Sequence, residues 1–155
     1  MGACGNRFVK ISAGMKKVLY VFVAFFMLQM GAFAQTNFEE LTLAKALEKA
    51  KAENKLVFVD TYTSWCMPCK YMANTIFPKS EMGEYLNPRF VCVKYNTEEG
   101  EGAEIMKRYE ISAFPTFLIL NTEGEVQHKI VGGSETAKDF IKRVAEGLDE
   151  DKAIG

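Results

Sequence analysis

The sequence predicts a single α/β domain in which a mixed sheet of four or five strands is flanked by helices. Segments with strand character alternate with segments of helical periodicity, which favours parallel pairing of successive strands. Two strand-like segments near the C-terminus are separated by a short polar turn that ends in glycine, which adds an antiparallel pair. A chain of 155 residues with 48% hydrophobic residues can bury one core and is too hydrophobic for a disordered protein.

Residues 1–34 are predicted to form a signal peptide outside this domain. Two lysines at 16–17 precede an uncharged apolar run over residues 18–34. The run ends in Ala-Phe-Ala, the small-x-small pattern that a signal peptidase accepts. The predicted cleavage point between Ala34 and Gln35 would release an exported domain, either periplasmic or secreted.

Two alternatives at the N-terminus stay open. Residues 18–34 could be retained as a membrane anchor, although 17 residues are fewer than the roughly 20 that span a bilayer. Met15 is a second candidate for the start of the protein, because the residues before it resemble neither a signal-peptide n-region nor a domain. Cys4 precedes the apolar run, whereas a lipoprotein cysteine follows it, so no lipid anchor is expected there. A single domain is expected over residues 35–155.

The first three elements of this domain are predicted to be a helix, a strand and a second helix. Residues 40–54 place leucines and alanines at helical spacing with lysines and glutamates between them. Leu56–Val59 form a continuous apolar run, as in a strand buried on both faces of a sheet. Residues 67–76 are compatible with the second helix.

The next three elements repeat the alternation. Ser80 could cap a short helix that runs to Leu86, before Asn87-Pro88 ends it. Residues 90–95 are rich in β-formers, which predicts a strand. Residues 101–109 resume helical spacing.

A hairpin and a last helix complete the domain. Residues 116–120 and 125–131 are typical of strands and are joined by the Asn-Thr-Glu-Gly turn at 121–124. Gly132-Gly133 end the second strand. Ser134 then opens a helix with an apolar face.

Charge and cysteine positions exclude several classes of function. The chain has 19 basic and 20 acidic residues, without the basic excess typical of nucleic-acid binding. The acidic residues at 98–101 are expected to be a solvated loop and helix start. Beyond a Cys-x-x-Cys pair, residues 35–155 offer only Cys92 and His128 as further zinc-type donors, so no metal site is expected. Cys92 is expected to be a buried thiol that packs as a small hydrophobe.

Cys66 and Cys69 carry the chemistry predicted for this chain. They follow a buried strand at the predicted start of a helix. Free N–H groups at a helix N-terminus stabilise a thiolate, and one helical turn brings the second sulfur next to the first. Pro68 is tolerated there, because the N–H that it lacks has no helical partner in the first turn. A redox-active pair is favoured over an inert disulfide or a metal site.

Two motifs make the chain similar to the thioredoxin superfamily. Residues 60–70, Asp-Thr-Tyr-Thr-Ser-Trp-Cys-Met-Pro-Cys-Lys, resemble the family's active-site stretch, and residues 109–116, Tyr-Glu-Ile-Ser-Ala-Phe-Pro-Thr, resemble the loop that holds its cis-proline. Residues 75–77 and the short helix after them are similar to secreted members, including the C-terminal periplasmic domain of the transmembrane disulfide reductase. The chain departs from thioredoxin at residues 35–39, which leave little room for a full first strand, and at Met67, where thioredoxin has glycine.

The resemblance implies a role for each matched residue near the cysteines. Cys66 would attack a substrate disulfide, and Cys69 would be the buried thiol that resolves the mixed disulfide. Asp60 would be the buried acid that moves protons to and from Cys69. Independently, an acid that ends an apolar strand is costly to bury, and such residues are often functional. Lys94 aligns with the family's lysine that can pair with this acid.

The resemblance also implies a substrate-binding surface around the cysteines. Pro115 would follow a cis peptide bond, so that the backbone around Phe114 lies beside the sulfurs and holds a substrate chain in extended form. Trp65 would shape the rim of the site. The residues expected to contact substrate are Trp65, Met67, Pro68, Phe114, Pro115 and Thr116.

The expected function is that of an exported thiol:disulfide oxidoreductase that reduces protein disulfides. The cysteines carry two electrons per cycle, so no metal or organic cofactor is expected. The expected partners are protein or peptide disulfides and a membrane electron donor, and the domain is expected to be a monomer. Met67-Pro68 lack the histidine of strongly oxidising relatives, which favours a reductase. The alternatives are a disulfide oxidase or isomerase, and a non-catalytic binding module or chaperone.

Overall fold

A computed structural model of the chain describes residues 35–148. The predicted signal peptide at 1–34, its alternative as an anchor over 18–34 and the alternative start at Met15 lie outside the described residues. No helix between residues 35 and 148 is long and apolar enough to cross a membrane.

Strands and helices alternate over residues 35–148 in the predicted order, with one short strand added at the start. The strands are β1 (Phe38–Glu39), β2 (Leu56–Tyr62), β3 (Phe90–Asn96), β4 (Thr116–Leu120) and β5 (Val126–Val131). The helices are α1 (Leu43–Glu53), α2 (Met67–Tyr71), α3 (Ser80–Leu86), α4 (Gly100–Arg108) and α5 (Ala137–Glu146), and a π-helical turn (Met72–Ile76) continues α2.

The strands form one mixed sheet in the order β1-β3-β2-β4-β5. β3 is parallel to both β1 and β2, whereas β4 is antiparallel to both β2 and β5. The prediction of a mixed sheet is confirmed, and its fifth strand is β1, which has only two residues. At the carboxyl end of β2, Asp60 pairs with Lys94 of β3 and Thr61 pairs with Thr116 of β4.

β2 is fixed in place by core packing on both faces of the sheet. Because successive side chains of a strand point to opposite faces, Phe58 enters one core while Val57 and Val59 enter the other. Phe58 stacks on Phe117 with ring centroids 5.8 Å apart, and Phe117 meets Phe140 of α5 edge-on at 4.8 Å. The prediction of a strand buried on both faces is confirmed, and the residues at its carboxyl end have a rigid support.

The starts of α1 and α5 lie three residues later than the sequence predicts. α1 begins after Thr42 rather than at residue 40, because the Thr42 hydroxyl accepts a hydrogen bond at 3.4 Å from the third backbone N–H of the helix. α5 begins after Thr136 rather than at Ser134 for the same reason, with a distance of 3.1 Å. Ser80 is the first residue of α3 and not its cap, so that prediction was wrong.

Arg143 of α5 holds the loop that follows β5. Its Nη2 donates to the Val131 carbonyl at 2.7 Å, and its Nη1 donates to the carbonyls of Gly132 and Gly133 and to Ser134 Oγ at 2.9–3.1 Å. The Ser134 N–H in turn lies 3.4 Å from the Met72 sulfur. α5 therefore supports a loop that contacts the π-helical turn after α2.

Candidate active site

The two cysteines lie just beyond the end of β2, at the start of α2. Cys66 is the N-cap residue of α2, and its Sγ accepts a hydrogen bond from the Cys69 N–H at 3.2 Å. The two sulfurs are joined in a disulfide, with Cα atoms 5.3 Å apart. Cys66 is 3% exposed and Cys69 6%, so burial does not distinguish an attacking from a resolving thiol. Their positions differ: Cys66 precedes the first turn of the helix, whereas Cys69 lies within it.

Large apolar side chains around the disulfide are exposed to solvent. Trp65 is 66% exposed, Met67 69% and Tyr71 45%. The Trp65 ring meets the half-buried Phe114 edge-on, with centroids 6.2 Å apart, and Pro68 is also exposed. Exposed apolar residues that cluster in one place indicate a surface on which another chain can dock. We call the exposed patch formed by Trp65, Met67, Pro68 and Phe114 the apolar rim.

The loop before β4 lies at the same end of the sheet as the cysteines. The Phe114–Pro115 peptide bond is cis, and the Pro115 carbonyl accepts a hydrogen bond from the Gly132 N–H at 2.8 Å. The Thr61 hydroxyl donates to the Thr116 carbonyl at 2.6 Å, and the Thr116 hydroxyl donates to the Ala113 carbonyl at 2.8 Å. The Thr116 side chain, 1% exposed, therefore lies inside the loop rather than on the apolar rim.

Asp60 lies near the carboxyl end of β2. Its side chain is buried, and Oδ1 has no hydrogen-bond partner among residues 35–148. Burial raises the pKa of this carboxyl to about 7, and the positive charge of Lys94 opposes that rise. Asp60 and Cys69 line a common cleft of about 200 Å³, which we call the disulfide cleft. A carboxyl with a pKa near neutrality can both accept and release a proton under physiological conditions.

Lys94 is the residue of β3 that lies directly beside Asp60 in the sheet. Its side chain is exposed, and the ion pairs found among residues 35–148 do not include one between Lys94 and Asp60. Both residues line the disulfide cleft. Lys94 therefore acts on Asp60 through its charge and not through a direct salt bridge.

Glu98 supports the site, although the sequence indicated only a solvated loop at this position. Its Oε2 accepts a hydrogen bond at 2.6 Å from the Ser64 N–H, two residues before Cys66. Hydrogen bonds from Ser64 and, more weakly, from Trp65 lower the pKa of the Glu98 carboxyl, which keeps it charged. No local pattern could predict this contact, because 34 residues separate Glu98 from Ser64.

Cys92 takes no part in the site. It is a free thiol of β3, 1% exposed, and burial raises its pKa to about 12. A thiol that stays protonated and inaccessible is unreactive, so the prediction of a packing role is confirmed. Across residues 35–148, no group of three or more histidine, cysteine, aspartate or glutamate side chains is placed to hold a metal ion.

A sheet of this topology with a Cys-x-x-Cys disulfide at a strand-to-helix junction defines a thiol:disulfide oxidoreductase of the thioredoxin type. The chain belongs to the thioredoxin-like domain family, whose profile matches residues 43–147. Its relatives include thioredoxins and thiol:disulfide interchange proteins, and it carries a Cys-x-x-Cys pair.

Three comparisons show how far the likeness extends. A solution structure from Bacteroides thetaiotaomicron, described as a candidate disulphide isomerase, is 40% identical, with a TM-score of 0.67; the match covers 76% of this chain and 96% of that one. Chloroplastic thioredoxin Y from Oryza sativa subsp. japonica is 32% identical over 77% of this chain and 67% of its own length. The thiol:disulfide interchange protein DsbD from Pseudomonas fluorescens is 29% identical over 65% of this chain, but the match spans only 18% of DsbD.

Proposed function

We propose that this protein is exported and that it reduces disulfide bonds in other proteins. The observation that carries the proposal is the Cys66–Cys69 disulfide at the start of α2, which shares a cleft with a buried acid that titrates near neutral pH. The apolar rim supports it, because a disulfide between exposed apolar side chains can be approached by a protein substrate.

In the first half of the proposed cycle, the reduced protein attacks its substrate. The Cys66 thiolate attacks one sulfur of a substrate disulfide, so a Cys66–substrate bond forms and the substrate disulfide breaks. The other substrate sulfur leaves as a thiolate and takes a proton from water. Cys66 is favoured as the nucleophile because the N–H groups at the start of α2, that of Cys69 among them, stabilise a negative charge on its sulfur.

In the second half, Cys69 resolves the mixed disulfide. Its thiol passes a proton to Asp60, and the resulting thiolate attacks Cys66 Sγ. The Cys66–Cys69 bond forms, the Cys66–substrate bond breaks, and the second substrate sulfur leaves as a thiolate. Two electrons have then moved from the cysteines to the substrate, so the cycle needs no metal or organic cofactor. Lys94 is assigned the role of tuning the proton affinity of Asp60.

The apolar rim, together with the backbone around Phe114, is proposed to hold the substrate chain. Pro115 and Thr116 are themselves buried, and their carbonyls already accept hydrogen bonds from Gly132 and Thr61. Export follows from the signal peptide predicted over residues 1–34. Because exported compartments are oxidising, a reductase there needs an electron donor, and we propose a dithiol carrier in the membrane. The exported domain is proposed to act as a monomer.

The redox potential of the cysteine pair tests the direction of the reaction. Titration against glutathione or dithiothreitol buffers can be followed by the fluorescence of Trp65, which is the single tryptophan of the chain. We expect a potential near that of thioredoxin, about −270 mV. A value near about −120 mV, as in a strong periplasmic oxidant, would contradict the proposed reductase and indicate an oxidase.

The catalytic role of the cysteines is tested by reduction of insulin disulfides. Cys66→Ser and Cys69→Ser are expected to abolish turnover, whereas Cys92→Ala, which changes the buried free thiol, is expected to retain it. If the wild-type protein is as inactive as both variants with every dithiol donor, the enzymatic proposal fails and a binding module or chaperone is indicated.

Disulfide isomerisation is the second candidate, because the Bacteroides thetaiotaomicron structure described as a candidate isomerase is 40% identical to this chain. An isomerase would restore activity to a scrambled disulfide protein without net reduction. Comparison of that activity with insulin reduction separates the two reactions, since a reductase needs a continuous supply of electrons.

A further inference from the structure

A second cleft reaches Asp60 from the N-terminal segment of the domain. It has a volume of about 260 Å³ and lies between residues 35–38 and the segment that follows α2. Asp60, Ala73 and Lys94 line both this N-terminal cleft and the disulfide cleft, whereas Cys69 lines only the disulfide cleft. Asp60 therefore lies between two clefts, one of which does not contain the cysteines.

Two residues that line the N-terminal cleft each carry a buried side-chain oxygen with no hydrogen-bond partner among the described residues. Thr36 Oγ1 and Asp60 Oδ1 make no hydrogen bond within residues 35–148, although each residue is only 6% exposed. A buried polar atom is costly unless it is hydrogen-bonded, and ordered water is the usual partner where the protein provides none. The cleft has room for several water molecules, each of which occupies about 30 Å³ in the liquid.

The backbone on both sides of the Thr36 side chain is held in place by hydrogen bonds. The Thr36 N–H donates to the Phe77 carbonyl at 3.0 Å. Asn87 accepts a hydrogen bond from the Asn37 N–H and donates one to the Gln35 carbonyl, both at 2.9 Å. The segment on both sides of Thr36 is therefore fixed to Asn87, the residue that follows α3, and to Phe77, the residue that follows the π-helical turn.

We propose that Thr36 and water in the N-terminal cleft form the route by which Asp60 exchanges its proton with solvent. Asp60 would give the proton that it received from Cys69 to a water molecule bound to the Thr36 hydroxyl. The hydroxyl accepts one hydrogen bond and donates another, so it passes the proton on without a net change. Thr36 is a positioning residue in this proposal, which rests on the proposed role of Asp60 in thiol–disulfide exchange.

The route has a functional advantage when a substrate is bound. A chain docked on the apolar rim would lie beside the disulfide cleft, because Ser64 and Cys69, which line that cleft, are the chain neighbours of Trp65 and Pro68. The N-terminal cleft would stay open to solvent at the same time. Other ionisable groups that line the clefts around Asp60 are Tyr62 of β2, Cys69 and Lys70 of α2, and Lys94 of β3; residues 35–38 contribute none.

The test compares two buried threonines whose hydroxyls both lack a partner within residues 35–148. Thr36 lines the N-terminal cleft and Thr63 the disulfide cleft. Thr36→Val removes the hydroxyl at nearly constant shape, Thr36→Ser keeps a hydroxyl, and Thr63→Val is the matched control. The measurements are the titration of the Asp60 carboxyl carbon by NMR and the pH profile of the step in which Cys69 resolves the mixed disulfide.

Thr36→Val is expected to increase the proton affinity of Asp60 about threefold, because the carboxylate loses a hydrogen-bonded water. It is also expected to slow resolution, with a larger solvent isotope effect. Thr36→Ser is expected to match the wild type in both measurements. Thr63→Val is expected to leave the proton affinity of Asp60 unchanged.

An unchanged titration and pH profile in Thr36→Val would overturn the proposal, and a change in Thr63→Val alone would assign the proton route to the disulfide cleft. If Thr36→Val does not fold, Thr36→Ala makes the same comparison. The NMR titration needs no substrate, so it gives a result even if the protein proves not to reduce disulfides.

Discussion

Asp60 shows how one buried charge can serve a reaction at the expense of stability. The pKa of its carboxyl rises from 3.8 to about 7 because burial penalises the charged form. Between these two values the folded protein binds a proton that the unfolded chain has already released, so stability falls as the pH rises. The same property lets Asp60 accept and release protons near neutrality. Its side chain is therefore expected to limit the stability of the domain.

Asp60→Asn is expected to remove this pH dependence. From pH 4 to pH 8 the wild type should lose about 3–4 kcal/mol relative to the variant, which follows from a rise in pKa from 3.8 to about 7. Urea unfolding of the oxidised proteins at several pH values measures the difference. Glu84→Gln, which changes an exposed acid of α3 and keeps Asp60, is the control. The stability of this variant should fall with rising pH as that of the wild type does. Parallel stability curves for wild type and Asp60→Asn would contradict the assignment of a raised pKa.

At the scale of the structural elements, the connection between β3 and α4 holds the chain that leads from β2 to Cys66. Thr97 donates to the Tyr62 carbonyl from its backbone N–H at 2.9 Å and from its hydroxyl at 3.2 Å, and Glu98 binds Ser64. These contacts fix the chain between the end of β2 and Cys66. α4 packs so closely on the end of β3 that a Cβ atom at Gly102 would overlap the backbone oxygen of Asn96.

Gly102→Ala is expected to destabilise the domain by roughly 2–4 kcal/mol, because backbone atoms must move to relieve the overlap. Gly100→Ala is the matched comparison in the same helix. At Gly100 a Cβ would meet nothing within 4 Å, but the φ of +53° disfavours alanine, which costs about 1 kcal/mol. Denaturant midpoints of the two variants measure the contrast. Equal losses would show that the close approach of α4 to β3 is not what requires glycine at 102.

At the scale of the whole molecule, the sheet topology brings two distant parts of the chain together. β2 leads to the cysteines, and β4 begins at the cis-proline loop. Because β4 runs antiparallel to β2, the start of β4 lies at the carboxyl end of β2. The site therefore requires β2 and β4 to lie side by side in the sheet, and both strands lie within residues that would remain after signal-peptide cleavage.

If the protein is exported as proposed, processing is expected to remove residues 1–34. In a Gram-negative host, the mature protein should begin at Gln35, because Ala32 and Ala34 provide the small side chains that signal peptidase requires. Intact mass and N-terminal sequencing of the periplasmic fraction measure this. Ala34→Arg should block cleavage and leave the protein in the membrane fraction. A wild-type protein found uncleaved in the membrane would instead support an anchor over residues 18–34.

The fold and the reacting residues could be predicted from sequence because their signals are local. Apolar periodicity predicted the long helices and strands, and the position of Cys66 and Cys69 at the predicted start of a helix favoured a redox-active pair. The cis bond before Pro115 was implied only by the family resemblance. The contacts of Glu98 and Thr36 could not be predicted, because each depends on residues that are distant in sequence and adjacent only in the fold. Helix starts were displaced for a different reason: threonine hydroxyls at 42 and 136 decide them, and periodicity does not detect a cap.

The four hydrogen bonds that the Arg143 side chain donates have a practical consequence for protein engineering. They make α5, the last helix within residues 35–148, a support for the loop that contacts the π-helical turn after the disulfide. A truncation or a fused reporter that displaces α5 would therefore disturb the surroundings of the disulfide, although α5 is distant from the cysteines in sequence. Affinity tags and fluorescent labels are better attached beyond this helix than within it.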